Sequence, residues 1–447
     1  MSRPERVQAL VVGGGVVGCA VLRELTRRGI RAILVEAEPD VGEGTSKANS
    51  AIVHTGFDAR PGTLEATLLR RAAELWPEVV DALGVPFLAL GAVMLARTSI
   101  EADRLRTEVA ANAGRLGVPT EPLDRAALRD IAPFVTDEAV AALSIPGEAV
   151  VDPFWLTRAY AEAAVAGGAE VRLRSRLVGL HDTGEAIAAE LADGTTLVAD
   201  EVFDCAGLAA DEVAAMVGDR SFRLAPRKGE FLVSEETFGV DRIVLPIPGP
   251  LGKGMLVTPI VFGGLLLGPT AEDVADRSDR SVGPAARERI LAACSALVPA
   301  LRDALPVRQF AGLRHVPSTG DYVVRPSTAT DRLYLCAGIR STGISTSPAV
   351  AERAVLEAAA LRGWRLASPP RVVVPPPLEL VEPAGEVVCP CRGVSRGEVL
   401  GACRRPLPAT TLDGVKRRGG AMFGDCQGNL CAVEIARILA AERGLAV

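Results

Sequence analysis

Four cysteines near the C-terminus stand in two close pairs, Cys389-Pro-Cys391 and Cys426-Gln-Gly-Asn-Leu-Cys431. Four thiolates at such spacing hold either a [2Fe–2S] cluster or zinc, since soft sulfur ligands suit both. At the other end of the chain, Gly13, Gly15 and Gly18 follow an apolar run at 7–12 and open a helical pattern reaching about Arg28. Backbone N–H groups at such a helix start, together with the positive end of its dipole, take a pyrophosphate. Residues 30–35 read as a second strand ending at Glu36, which is placed to accept from a ribose hydroxyl. Strand, glycine turn, helix, strand and acid together specify a dinucleotide site. Proton transfer near neutral pH is the work of histidine more often than of any other side chain. The only histidines are His54, His181 and His315. His181 follows a strand and reads as a surface residue, whereas His54 closes the polar run Thr45-Ser-Lys-Ala-Asn-Ser-Ala-Ile-Val-His54, whose hydroxyls and amides suit an extended cofactor such as FAD better than NAD.

These groups need elements to position them. A chain of 447 residues exceeds a single core, and about two or three domains are expected. Apolar spacing is helical over 65–83 and 101–116, while 170–180, 196–204, 231–233, 255–259, 263–267 and 331–336 read as strands and 347–361 as a helix. The segment 366–386 carries Pro369, Pro370, Pro375, Pro376, Pro377 and Pro383, so it reads as a stiff linker. It separates a large body from a tail holding five of the nine cysteines, and Cys19, Cys205, Cys294 and Cys336 are expected to pack as small apolar residues. The net charge of -6 gives no basic face for nucleic acid. No apolar run approaches the length of a bilayer span, and residues 1–6 lead straight into a strand, so a cytoplasmic location is expected, with possible attachment to the inner membrane only through a partner. Of the 49 basic residues only Lys47, Lys228, Lys253 and Lys416 are lysines, and all four fall in motif-like segments.

Over about residues 5–365 the sequence resembles the D-amino-acid-oxidase-like FAD oxidoreductases, in particular their glycerol-3-phosphate dehydrogenase and oxidase branch, with L-2-hydroxyglutarate dehydrogenases as relatives. The resemblance rests on 11–18, on Ser46–Pro61 (Ser-Lys-Ala-Asn-Ser-Ala-Ile-Val-His-Thr-Gly-Phe-Asp-Ala-Arg-Pro), on 253–270, on Phe310-Ala-Gly-Leu-Arg314 and on 338–348. It implies an α/β fold: a discontinuous Rossmann-like FAD domain (1–75, 150–215 and 320–365) with an inserted α+β substrate domain (76–149 and 216–319) on a mostly antiparallel sheet. It places the cofactor against Gly13, Gly15, Val16, Val17, Gly18 and Glu36, and against Thr45, Ser46, Asn49 and Ser50. Further contacts are implied at Val178, Ala206 and Gly207, where Asp204-Cys-Ala-Gly207 returns to the cofactor, and at Gly338, Ser341, Thr342, Gly343 and Ile344. A second helix start in this last segment would face the flavin pyrimidine and stabilise negative charge on a reduced ring.

By the same resemblance His54 is the general base, Lys253 and Arg314 clamp an anionic substrate, and Ser341 lies close to flavin and substrate. A guanidinium suits phosphate or carboxylate in bidentate fashion. Thr342 and His315 each replace a proline common in the family, and both changes fall near the expected pocket.

Within a C-terminal domain at 387–447, residues 387 to about 440 resemble the bacterioferritin-associated-ferredoxin-like [2Fe–2S] domain, with Thr411-Leu-Asp-Gly-Val-Lys-Arg-Arg418 between the cysteine pairs. This implies a cluster rather than zinc on Cys389, Cys391, Cys426 and Cys431; Cys403 has no assigned role. The expected reaction is oxidation of sn-glycerol 3-phosphate to dihydroxyacetone phosphate by hydride transfer to FAD, electrons leaving through the cluster to a partner protein, a membrane-anchoring subunit or quinone. Two other readings are a dehydrogenase of a 2-hydroxy acid or secondary amine acid held by Arg314, and a non-catalytic electron-transfer subunit of a larger complex.

Overall fold

The computed structural model describes residues 5–249, 252–377, 381 and 385–445. The expected first strand forms at Glu5–Val12, and the helix that follows runs Val16–Arg27. The strand lies at the centre of a sheet, paired in parallel with Ala32–Val35 on one side and Thr196–Asp204 on the other. Glu170–Arg172 extends this sheet beyond Ala32–Val35, and Ile187–Leu191 with Leu177–Asp182 extends it at the other edge. Leu333–Ala337 pairs in parallel with Thr196–Asp204, so the C-terminal part of the body returns to the first strand's neighbour. Helices Val16–Arg27, Pro153–Ala166 and Gly343–Arg362 cover one face in a shared apolar core that includes Leu22, Leu25, Tyr160 and Val350. Each such fully buried large side chain contributes roughly 1.5–3 kcal/mol through area removed from water.

A second sheet is built on two long antiparallel partners, Leu224–Ser234 and Arg308–Pro317, in register from Leu224↔Pro317 to Val233↔Arg308. Leu265–Gly268, Leu256–Pro259, Ile243–Pro246, Ala92–Ala96, Ala141–Ile145 and Glu121–Leu123 continue it. Only Ile243–Pro246 with Ala92–Ala96 is a parallel pair, so this sheet is mostly antiparallel as expected. A third, small sheet joins Ile52–Val53 and Phe87–Leu88 to Ala149–Val151.

Some element readings are corrected. The run at 170–180 is two strands, Glu170–Arg172 and Leu177–Asp182, split where Arg174 adopts a φ of 56°. The strand at 231–233 is the end of the longer Leu224–Ser234, whose first half carries Arg227, Lys228 and Glu230 and therefore lacks an apolar signature. Arg308–Pro317 is hidden for the same reason by Arg308, Gln309, Arg314 and His315.

The tail has its own core, with Val388, Val399, Val415, Ile435 and Ile438 packed under three helices, Arg396–Cys403, Leu412–Gly419 and Ala432–Glu442. Ser395 and Glu398 close a reciprocal capping box on the first of these. The preceding proline segment lies on the body through Val373, which is buried and accepts from Arg23 Nε. Linker residues 378–380 and 382–384, Pro383 among them, lie outside the described residues. Among the described residues no helix is long and apolar enough to cross a membrane.

Candidate active site

The turn after the first strand needs glycine. Gly13 sits at φ 102°, and a Cβ there would meet the Cys205 carbonyl at 2.5 Å; a Cβ on Gly18 would lie 2.0 Å from the Gly13 carbonyl. The first helix carries no side-chain cap on Gly15. Its first intrahelical bond at this end is Cys19 N–H to Gly15 O, which leaves Val17 and Gly18 N–H ahead of the helix bonding pattern. Val16 N–H donates to Ser46 Oγ at 2.9 Å, tying the polar loop to the helix start. Glu36 accepts from Gly14 N–H at 2.6 Å and from Glu38 N–H at 2.9 Å. Burial is the largest influence on its carboxyl and lifts it above the ordinary range against those N–H groups. Each oxygen keeps a further acceptor position for a ribose hydroxyl. These residues fit the adenosine diphosphate half of FAD.

Other expected cofactor residues divide into those that face outward and those that hold the loop. Asn49 donates to Thr45 O and Ser46 O and accepts from Ala51 N–H, so its side chain shapes the turn. Thr45 donates to Leu313 O at 2.8 Å. Its hydroxyl hydrogen being used there, His315 Nε2, 3.0 Å away, is the donor to Thr45 Oγ1. Burial alone pushes His315 down to about 4, so it stands neutral in this role. Ser50 is half-buried in the same loop. Ala206 N–H bonds Asp204, and Gly207 takes a φ of 62° beside the His315 ring. Val178 is 51% exposed, three residues past Ser175, whose N–H donates to Glu36 O.

The second helix start forms as Gly343–Arg362, with Thr346 N–H to Thr342 O as its first bond. Gly343 and Ile344 N–H precede that bond and remain for a ring carbonyl. Gly338 has a φ of 67°, and a Cβ there would meet Pro317. Ser341 is exposed, whereas the Thr342 side chain turns inward to Glu65 at 2.9 Å and to the Tyr322 hydroxyl.

His54 is carried by the small sheet. Val53↔Ala149 is its last register pair, so the next residues on each strand, His54 and Glu148, meet with Nδ1 and Oε2 2.8 Å apart. Glu148 is fully buried and also accepts from Thr55 N–H at 2.7 Å and Thr55 Oγ1 at 2.8 Å. Burial opposes its ionisation, but His54, Thr55 and Lys253 outweigh that and hold the carboxyl below its ordinary range. An ionised Glu148 can only accept, so Nδ1 carries the hydrogen, and it is Nε2 that presents a lone pair in the neutral imidazole. Lys253 pairs with Asp58 and lies 5.3 Å from the Phe57 ring centroid. The Asp58 carboxyl sits below its ordinary value, burial being outweighed by Lys253 and His54.

Arg314 reaches only the Thr270 carbonyl, at 3.3 and 3.4 Å, and no carboxylate pairs with it among the described residues. Burial and then Arg227 push it down to about 10. A Cβ on Gly229 would come within 2.9 Å of its guanidinium, and a Cβ on Gly312 would lie 2.0 Å from Ala48 O. The structure thus gathers His54, Glu148, Asp58 and Lys253 in one cluster and His315 with Thr45 in another, while Arg314, on the next strand position, stands apart against Thr270. Sequence reasoning missed Glu148 and Asp58 as partners. Glu148 stands in Pro146-Gly-Glu148, a turn with no signal beyond an acid before a strand.

In the tail all four cysteines are free thiols, with Cys391 beside Cys426 and Cys389 beside Cys431. No group of three ligand-type side chains converges on a single ion point among the described residues. Two sulfur pairs fit two irons, each taking two thiolates, better than one tetrahedral zinc. Met422 and Gln427, at φ 64° and 48°, bend the backbone that returns Cys426 to Cys391. The Leu430 N–H, then Cys391, draw the Cys426 thiol below its ordinary value, and the same pairing pushes Cys391 up. Cys403 is half-buried and apart from these pairs, and Cys19, Cys205, Cys294 and Cys336 are buried.

A dinucleotide fold with a histidine–carboxylate pair and a two-pair cysteine module defines a flavin-dependent oxidoreductase with a second redox centre. The chain belongs to the family described as FAD dependent oxidoreductase, which it matches over residues 8–355, and it carries a BFD-like [2Fe-2S] binding domain at 387–441. It is 32% identical to a glycerol 3-phosphate dehydrogenase of Caloramator mitchellensis, over 97% of this chain and 94% of that one. A solved L-α-glycerophosphate oxidase of Mycoplasma pneumoniae with FAD bound superposes at a TM-score of 0.77, with 26% identity over 83% of this chain and 98% of that chain. An L-2-hydroxyglutarate dehydrogenase of Caenorhabditis elegans is 28% identical over 59% of this chain and 63% of its own length.

Proposed function

We propose that the protein oxidises sn-glycerol 3-phosphate to dihydroxyacetone phosphate and passes the electrons to a one-electron acceptor. The observation that carries this is the buried His54–Glu148 pair standing beside the cationic Lys253, with the uncompensated Arg314 guanidinium on the strand Arg308–Pro317. Bound FAD supplies the hydride acceptor and the [2Fe–2S] centre a one-electron relay. His54 Nε2 takes the substrate hydroxyl proton, and the Glu148 carboxylate stabilises the imidazolium so formed. Arg314 and Lys253 hold the phosphate, Arg314 by its planar fork and Lys253 as a point charge that Asp58 keeps in place. The similarity to glycerol 3-phosphate dehydrogenase across nearly the whole chain supports this substrate.

One observation favours a second reading. Asp58 already neutralises Lys253, leaving Arg314 as the free clamp, and one guanidinium suffices for a carboxylate. A 2-hydroxy acid or secondary amine acid then becomes the substrate. Anaerobic addition of glycerol 3-phosphate to the holoprotein, followed at the flavin band near about 450 nm, separates the two. Bleaching that Lys253→Met slows roughly tenfold or more supports the phosphate substrate. Bleaching by 2-hydroxy acids but not by glycerol 3-phosphate replaces it. No bleaching by any of these, with flavin and cluster present, leaves the chain an electron-transfer subunit.

A further inference from the structure

The contacts between the body and the cysteine module share one polarity. Among the described residues, every ion pair that crosses puts an arginine of the module against an acid of the body. Arg418 forks onto Asp40, with Nη2 to Oδ1 at 2.8 Å, and the two side chains are 3% and 4% exposed. The neighbouring Arg417 pairs with Glu43, which also accepts from Lys47. Arg405 forks onto the fully buried Glu162, Nε to Oε1 at 2.7 Å. Beside Cys391, Arg392 reaches Glu235 at 3.1 Å. Between them, Phe423 of the module stacks on Phe154 of the body with ring centroids 5.6 Å apart.

Buried ion pairs seldom raise stability much, because desolvation cancels most of the attraction. They do penalise every arrangement in which one partner is left alone. A forked Arg–carboxylate pair adds directional constraint. Four arginines meeting four acids therefore fix one attitude of the module on the body. The location of the acids matters as much as their burial. Asp40 and Glu43 lie between Glu36 and the loop 45–50, and Lys47, which binds Glu43, is in that loop. Ser46 of the same loop bonds the first helix at Val16.

We propose that Asp40 and Glu43 are positioning residues that clamp the iron–sulfur module, through Arg418 and Arg417, onto the flavin-contacting loop, so that flavin-to-cluster electron transfer is an intramolecular step of fixed geometry. This rests on the reading of the chain as a flavin dehydrogenase with an internal relay. The reduced flavin gives up two electrons and one proton. Each electron crosses singly to the cluster, which a one-electron acceptor such as a ferredoxin-type protein or a viologen dye reoxidises after each crossing. The alternative is a module swinging on its proline linker, for which the crossing pairs would be incidental.

The test uses the full-length protein with both centres loaded. Amide hydrogen exchange is measured in the helix Leu412–Gly419 for the native chain and for Asp40→Asn, a change confined to the body. In parallel, one equivalent of glycerol 3-phosphate is mixed anaerobically, following flavin bleaching by absorbance and cluster reduction by electron paramagnetic resonance. The clamp predicts exchange in that helix faster by roughly tenfold or more, because Arg418 is left without its counter-charge. It also predicts cluster reduction slowed by roughly tenfold, with bleaching changed less than about twofold. Exchange and cluster reduction both at native rates overturn it. Should Asp40→Asn fail to fold, Arg418→Lys keeps the charge but loses the fork, and the same two readouts decide. If glycerol 3-phosphate does not bleach the native flavin, the substrate reading falls, and the exchange measurement still decides the clamp.

Discussion

His54 and Glu148 are 94 residues apart in sequence and 2.8 Å apart in space. The pair has the logic of a base held by a buried carboxylate: one ring nitrogen is fixed as donor, the other is left free, and the positive charge gained on proton uptake is countered at once. Glu148→Gln keeps the shape and removes the charge. Flavin bleaching by substrate is expected to fall by roughly 10²-fold or more, with the substrate concentration for half-maximal rate changed only a few-fold. Because the Glu148 carboxyl is held below the ordinary glutamate range, its stabilising contribution is present above that range and is lost as pH falls through the lower folded value. Acid unfolding of Glu148→Gln is accordingly less steep below about pH 4.5. Rapid mixing and acid titration read the two outcomes; a variant bleached at the native rate removes Glu148 from the proton-transfer unit.

At the scale of elements, the polar loop 45–50 is set by a crossing. The strand Arg308–Pro317 passes so close to it that a Cβ on Gly312 would lie 2.0 Å from the Ala48 carbonyl, backbone against backbone. Gly312→Ala must displace the loop carrying Thr45, Ser46 and Asn49. Overpacking of this kind costs about 1–3 kcal/mol, hence roughly five- to hundredfold in FAD affinity. The flavin-to-protein ratio after gel filtration checks this, and full retention of FAD shows that the loop does not bear on the cofactor. The crossing explains what the sequence could and could not display. Local signals, such as the glycines at 13, 15 and 18 between an apolar strand and a helix, and the cysteine pairs, were legible because neighbours along the chain build those features. Glu148 and Asp58 were not, since their roles come from a register pair in a three-stranded sheet and from a lysine 195 residues away. The strand bearing Arg314 carries polar residues toward the site, so the chemistry itself erased the apolar alternation that would have marked it.

For the whole molecule, the body and the cysteine module each have a hydrophobic core, one built on Leu22, Tyr160 and Val350, into which Leu407 of the module reaches, and the other on Val415, Ile435 and Ile438. The crossing contacts are carried by arginines, Phe423 and Leu407 rather than by the four paired cysteines. Loss of the cluster should therefore interrupt electron exit without disturbing hydride transfer. Cys426→Ser removes one thiolate from the Cys391–Cys426 pair, and a hydroxyl is a poor ligand for this soft site. The variant is expected to lose the cluster's absorbance and paramagnetic signal. Its flavin should still bleach on glycerol 3-phosphate at a rate within about twofold of native, since His54, Glu148 and Arg314 all lie in the body. Steady-state reduction of a one-electron dye should fall by roughly tenfold or more, because the relay that meters electrons out singly is gone. Bleaching that fails along with the cluster would mean the module also builds the flavin site. Unchanged dye reduction would mean the flavin meets its acceptor directly and the module serves another purpose.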